Sequence, residues 1–148
     1  MTRIYTTIHI QRPIERVFDF VTSAGDWPKW HPSSLGVSGA IDHSAAVGEQ
    51  IVEEFQVAGR RGRVTWAVTK RDAPRRWAIE GVIEGRNNGG TITYLLTSRD
   101  GGTFFEREFI YPTPNLLFAL LNVLVVRRRV YAESLEALRC LKQALEAE

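Results

Sequence analysis

Two charged side chains fall where the pattern of the chain calls for apolar ones. Glu53 alternates with Ile51 and Phe55, and Arg107 alternates with Phe105 and Phe109. Both therefore lie on the apolar face of a period-two, strand-like pattern. A charge carried into such a face is costly unless it is paired or hydrogen-bonded, so each needs a partner. Arg107 can anchor a ligand carboxylate or enolate, and Glu53 can accept a ligand hydroxyl or act as a base. The alternative for both is a snorkelling or structurally paired charge at a cavity rim. His31, in Trp30-His31-Pro32, is an acid–base candidate because neutral imidazole moves protons near neutral pH. No carboxylate at a diagnostic spacing orients it, and a structural or solvent-facing role fits the same residues. Tyr94 offers a hydroxyl or ring face to Arg107. With these, Trp27, Trp30, Phe55, Trp66, Trp77, Phe105 and Phe109 make up the expected lining of a binding site, although plain core packing would use the same side chains.

Other chemistries find little support. His9 and His43 join His31 at no metal-ligand spacing, and Cys140 is the single cysteine. No disulfide or Cys-rich metal site follows, and we expect no metal and no cofactor. Cys140 sits in a leucine pattern and reads as a small buried hydrophobe. There is no nucleophile elbow and no phosphate-cradling glycine loop. Arginines cluster at 60, 61 and 63, at 71, 75 and 76, and at 127–129, where they can attract anionic headgroups, meet an acidic partner or simply solvate the surface. Without an aromatic–basic stripe, and with a formal net charge of only +2, nucleic acid is not an expected partner.

The 148 residues, 44% apolar and 24% charged, suit one globular domain spanning 1–148 with a sizeable core. The apolar run Leu116 to Val126 is well short of the ~20 residues of a membrane span, and MTRIYTTIHIQRP lacks a signal-peptide core. These features point to a soluble, cytoplasmic protein. Peripheral membrane contact and the oligomeric state stay open.

The elements that must position these side chains follow from periodicity. Arg3 to Ile10 reads as a strand, with Ile4, Ile8 and Ile10 on one face. Pro13 opens a helix carrying Val17, Phe18 and Val21, and DWPKWHPSS forms a short turn or helix. Breakers at Gly59–Gly62, Asp72–Pro74, Asn87–Gly89 and Asp100–Gly102 cut the stretch Gly48 to Tyr111 into five strands joined by hairpins. Opposed residues in a hairpin share a face, which tests the registers. A turn at Arg60-Arg61 sets Val57 against Val64 and Phe55 against Trp66. A turn at Asn87-Asn88 sets Ile83 against Ile92, and the Asp72–Ala73 corner sets Val68 against Trp77. A turn at Asp100-Gly101 sets Leu96 against Phe105, Tyr94 against Arg107 and Ile92 against Phe109. All four agree on one apolar face. After Pro112 and Pro114, Leu117, Leu120, Leu121 and Leu124 lead into Tyr131, Leu135, Leu138, Leu141 and Leu145 at helical spacing, with a bend or a solvated turn at Arg127–Arg129. Such a sheet must cover its apolar face, and only the last helix is long enough to do so.

The stretches RPIERVFDFVTSAGDWPKWHPS, DGGTFFEREFIYPTP and RRRVYAESLEALRCLKQALE are similar to the polyketide cyclase/dehydrase and lipid-transport superfamily. That group, also called SRPBCC or START-like, includes the birch-pollen allergen type. The resemblance covers nearly the whole chain and carries no catalytic signature. It implies an α+β helix-grip fold: a seven-stranded curved antiparallel sheet wrapped around a long C-terminal helix, with two short helices after the first strand. It also implies a second strand near Ser34 to Ile41, a first strand placed centrally beside the last, Glu53 on a peripheral strand and Arg107 on a central one. The function so implied is binding, transport or sequestration of a small hydrophobic ligand such as a lipid or polyketide-like molecule. The alternative is a cofactor-independent cyclase, aromatase or dehydratase moving protons in the same cavity through Glu53, His31 or Tyr94. A protein-interaction module docking through Leu116 to Val126 is a third reading.

Overall fold

Alternation of apolar and polar residues makes seven strands here, and turn chemistry sets how they pair. In the computed structural model of the chain, residues 1–87, 89–113 and 115–148 are described. Strand β1 (Thr2–Ile10) is followed by helix α1 (Ile14–Thr22), a 3-10 turn and helix α2 (Trp27–Trp30). Strands β2 (Ser34–Gly39), β3 (Gln50–Val57), β4 (Arg60–Asp72), β5 (Arg76–Ile83), β6 (Gly89–Arg99) and β7 (Gly102–Tyr111) complete one curved antiparallel sheet. Its order is β1-β7-β6-β5-β4-β3-β2. The first strand pairs with the last as expected, but it forms an edge rather than a centre. Strands β3 and β7 are therefore each second from an edge, and neither Glu53 nor Arg107 is more central than the other.

The β6–β7 hairpin pairs as the sequence requires: Leu96 opposes Phe105, Tyr94 opposes Arg107 and Ile92 opposes Phe109. Its Asp100-Gly101 turn holds both residues at positive φ, 52° and 75°. The other three hairpins differ from expectation. The β3–β4 turn is Ala58-Gly59, so Val57 opposes Arg60, Phe55 opposes Gly62 and Ile51 opposes Trp66. Ile92 opposes Ile79 rather than Ile83, and Asn88 of the expected Asn87-Asn88 turn lies outside the described residues, as does Pro114. A bulge between Val68 and Lys70 sets Val68 against Ile79 and Trp77 against Arg71. The first two slips move a partner by four residues, Val64 to Arg60 and Ile83 to Ile79. An even slip leaves every side chain on its own face. That is why the common apolar face survives both of these slips.

Ala58 explains the first slip. It takes φ 51°, and Gly59 takes φ 79°, the left-handed pair that a two-residue turn needs and that alanine rarely supplies. Its N–H is held by Glu133, whose two carboxylate oxygens accept at 3.1 and 3.3 Å. Ala58→Gly removes the steric cost at Cβ, and we expect a stability gain of roughly 1 kcal/mol, read from urea unfolding at unchanged m-value.

The C-terminal helical rod runs through α3 (Leu116–Leu121), a π turn (Asn122–Val126) and α4 (Arg127–Glu146). Arg127–Arg129 mark no break; the irregular turn lies immediately before them. The buried face is Val130, Ser134, Ala137, Leu138, Leu141 and Leu145. Tyr131 and Leu135, expected inside, are exposed, as are Leu117, Leu120, Leu121 and Leu124. Cys140 is half-buried rather than buried. An α-helix turns every ~3.6 residues, so positions four apart drift by about 40°. The wider π turn takes up that drift and keeps Phe118, Asn122, Val126, Val130 and Ser134 toward the sheet. Of the expected leucine repeat, only Leu138, Leu141 and Leu145 fall on the buried face. Helix α4 packs on β1 and α2, and its lower leucines join the core built on Trp27, Trp30, Trp77 and Phe105.

Candidate functional site

Curvature keeps the sheet from closing fully on α4, and a cavity of about 410 Å³ lies between them. That volume is within the ~300–1,000 Å³ usual for small-molecule sites. Phe55, Trp66, Ile83, Ile92 and Phe109, one from each of five consecutive strands, all line it. Phe118, Val126, Val130 and Ser134 close the helical side. Exposed Arg60, Arg61, Glu84 and Arg86 belong to the same wall and mark its mouth.

Trp66 lies across bare backbone: a Cβ on Gly81 would sit 2.6 Å from its ring. This close approach lets the indole lie flat, and its Nε1–H donates to Glu53 Oε1 at 3.0 Å. Burial raises the Glu53 pKa above the usual carboxylate range; the bond from Trp66, the nearby Ser34 hydroxyl and the charge of Arg107 oppose the rise.

Arg107 is 3% exposed. Its Nη1 donates to Ser134 Oγ at 3.3 Å and its Nη2 meets His31 Nε2 at 3.2 Å. Its Nε is buried without a hydrogen-bond partner, and no carboxylate lies within ion-pair distance among the described residues. The Phe109 ring lies under the guanidinium, 5.6 Å from its centroid. A guanidinium only donates, so His31 Nε2 accepts and the imidazole is the neutral Nδ1–H tautomer. Burial, with Arg107 adding to it, lowers the His31 pKa to about 3, and His31 Nδ1 is sealed from solvent without a partner. Burial pushes the Tyr94 pKa up to about 12 despite the pull of Arg107.

Of the expected site residues, Trp27, His31, Glu53, Phe55, Trp66, Tyr94, Arg107 and Phe109 meet at this one cavity. Trp30, Trp77 and Phe105 do not reach it. They are buried behind it, where Trp77 stacks on Tyr94 at 5.4 Å and Phe105 and Trp30 flank the same ring at 5.1 and 6.5 Å. Their effect on the site is to hold Tyr94. Trp27 is fixed by its Nε1–H, which donates to Val21 O at 3.0 Å. Sequence reasoning missed Ser134, the polar partner of Arg107, and Val126 and Val130 above it. Their signal was the four-residue spacing Phe118-Asn122-Val126-Val130-Ser134, masked by the louder leucines beside it.

Comparison with known proteins fits this geometry. A protein from Penicillium ochrochloron named penitrem biosynthesis cluster 1 protein I is 35% identical over 65 residues, spanning 43% of this chain and 42% of that protein. Among solved structures, protein Ms6760 from Mycobacterium smegmatis superposes with a TM-score of 0.72 at 21% identity, covering 98% of this chain and 91% of that one. DynU16, described as a putative protein in the dynemicin biosynthetic locus, gives 0.69 at 15% identity, covering 97% of this chain and 47% of that one. The family described as polyketide cyclase / dehydrase and lipid transport matches over residues 1–146. With the sheet, the gripping helix and that match in agreement, the chain belongs to the polyketide cyclase/dehydrase and lipid-transport family.

Proposed function

We propose that the chain binds a small, mostly apolar molecule with an acidic or enolisable oxygen at one end. The observation that carries this reading is Arg107: a buried guanidinium on a cavity wall, held by two neutral groups and matched by no carboxylate among the described residues. Evolution toward stability alone would replace such a charge with an apolar side chain. An anionic guest supplies what the protein withholds, while Phe55, Ile92, Phe109 and Val130 take its apolar body. Two proteins that the chain resembles are named for biosynthetic loci, of penitrem and of dynemicin. A biosynthetic intermediate is in keeping with both names, and the family description adds polyketides and lipids as guest classes.

A second reading has its own observation. Glu53 shares the cavity with Arg107 and its carboxyl is pushed toward the protonated form by burial. A carboxyl of that kind can move a proton while Arg107 holds a developing enolate, which is cyclase or dehydratase chemistry. His31 serves here as an acceptor for Arg107, not as the proton carrier. Native mass spectrometry of gently purified protein, with Glu53→Gln beside the natural chain, tests both. Binding predicts an adduct of small apolar mass in both proteins. Catalysis predicts that Glu53→Gln keeps the adduct but accumulates unconverted substrate. An absence of any adduct, together with no uptake of added polyketide-like acids, would sink the binding reading.

A further inference from the structure

Beside the cavity mouth the rod presents five leucines and two valines between Leu116 and Val125, each 43–87% exposed. They surround the outer circumference of α3 and the π turn rather than forming one stripe, while Phe118 and Val126 of the same segment turn inward to line the cavity. Exposed apolar surface of this extent marks an interaction site. The charge adjoining it in sequence is all positive. Residues 109–132 contain no acid, and Arg127, Arg128 and Arg129 follow the apolar run directly and are exposed. Arg129 lies over the β3–β4 turn, where a Cβ on Gly59 would meet its Nη1 at 3.3 Å. That contact brings it beside Arg60 and Arg61 at the mouth; Glu84 is the exposed carboxylate on the same rim.

We propose that this surface docks on an anionic lipid bilayer, with the leucines entering the interface and the arginines on the headgroups. No helix among the described residues is long and apolar enough to cross a membrane, so the segment lies on the bilayer and does not span it. A groove in a protein partner would need a one-sided apolar stripe; lipid accepts apolar side chains on every exposed side. Docked this way, the mouth faces the acyl region, from which an apolar guest can enter without crossing water. The surface goes beyond the cavity reading and stands without it.

The test is sedimentation of the full chain with phosphatidylcholine vesicles, with and without about 30 mol% phosphatidylserine. The natural chain is expected to partition onto the anionic vesicles, less so at high salt. The triple variant R127Q/R128Q/R129Q is expected to bind on the order of 100-fold more weakly. L117D/L124D is expected to lose binding with an unchanged melting curve, since both leucines are exposed. Arg107→Met is expected to sediment like the natural chain, which separates this result from any failure of the cavity reading. Failure of the natural chain to bind anionic vesicles overturns the proposal, as does full binding by L117D/L124D. So does a natural dimer in light scattering that L117D/L124D splits into monomers, which would assign the surface to a second copy.

Discussion

Arg107→Met is expected to weaken binding of a carboxylate-bearing guest about 100-fold while leaving the empty protein as stable as before, or more so. A charged hydrogen bond in a water-excluded site contributes about 2–5 kcal/mol when one partner is removed, and 100-fold is the lower part of that range. The stability arm follows from the partners. Ser134 and His31 are neutral, so the guanidinium is buried at full desolvation cost with only two modest bonds in return. Methionine fills similar space without that cost, and the loss of a donor at each partner offsets the gain in part. The net change expected is between zero and about 2 kcal/mol of added stability. Titration calorimetry with matched acid and alcohol guests, beside urea unfolding, reads both. A purely structural Arg107 would give the reverse: a loss of about 3–5 kcal/mol and no preference for acid over alcohol in the natural chain.

Acidification is expected to unfold the protein largely through His31. Its pKa is about 3 in the folded chain against 6.5 for the free side chain. As pH falls below 6.5 the unfolded chain therefore takes up this proton first. The stabilisation is complete above that value and is lost progressively as pH falls toward 3. By pH 4 the loss is about 3 kcal/mol. Glu53 acts in the opposite sense. Its raised pKa means that the folded chain binds the carboxyl proton more readily than the unfolded chain, so acid relieves a cost. Comparing the natural chain with His31→Asn from pH 7 to pH 4 isolates the histidine. The variant's stability is expected to fall about 3 kcal/mol less over that range. Equal slopes would mean that His31 is not held neutral by burial and Arg107.

Much of the site was legible because strand period fixes faces more firmly than registers. Glu53 and Arg107 stood out as charges on an apolar face, and the Tyr94–Arg107 pair followed from the Asp100-Gly101 turn, whose residue types announce their positive φ angles. What stayed hidden depends on long-range forces. Ala58 adopts a turn conformation that its residue type does not favour, held there by Glu133 from a helix 75 positions away. The π turn at Asn122–Val126 rephases the rod by an amount that no local pattern states. Trp30, Trp77 and Phe105 share the apolar period of the lining residues, and only the sheet's curvature decides which aromatic rings face space and which face one another. The position of β1 at an edge was likewise invisible to a pattern that says which strands are apolar but not where the sheet stops.

The claim on which the rest depends is that a guest enters between sheet and helix and meets Arg107 there. Intermolecular nuclear Overhauser effects from a medium-chain carboxylate bound to labelled protein test it most directly. Contacts from the acyl chain to Trp66, Ile92, Phe109 and Val130, with the carboxylate end nearest Arg107, are the expected result. Contacts confined to the outer face of the sheet, at Thr91 or Thr93, or no saturable binding at all, would contradict it.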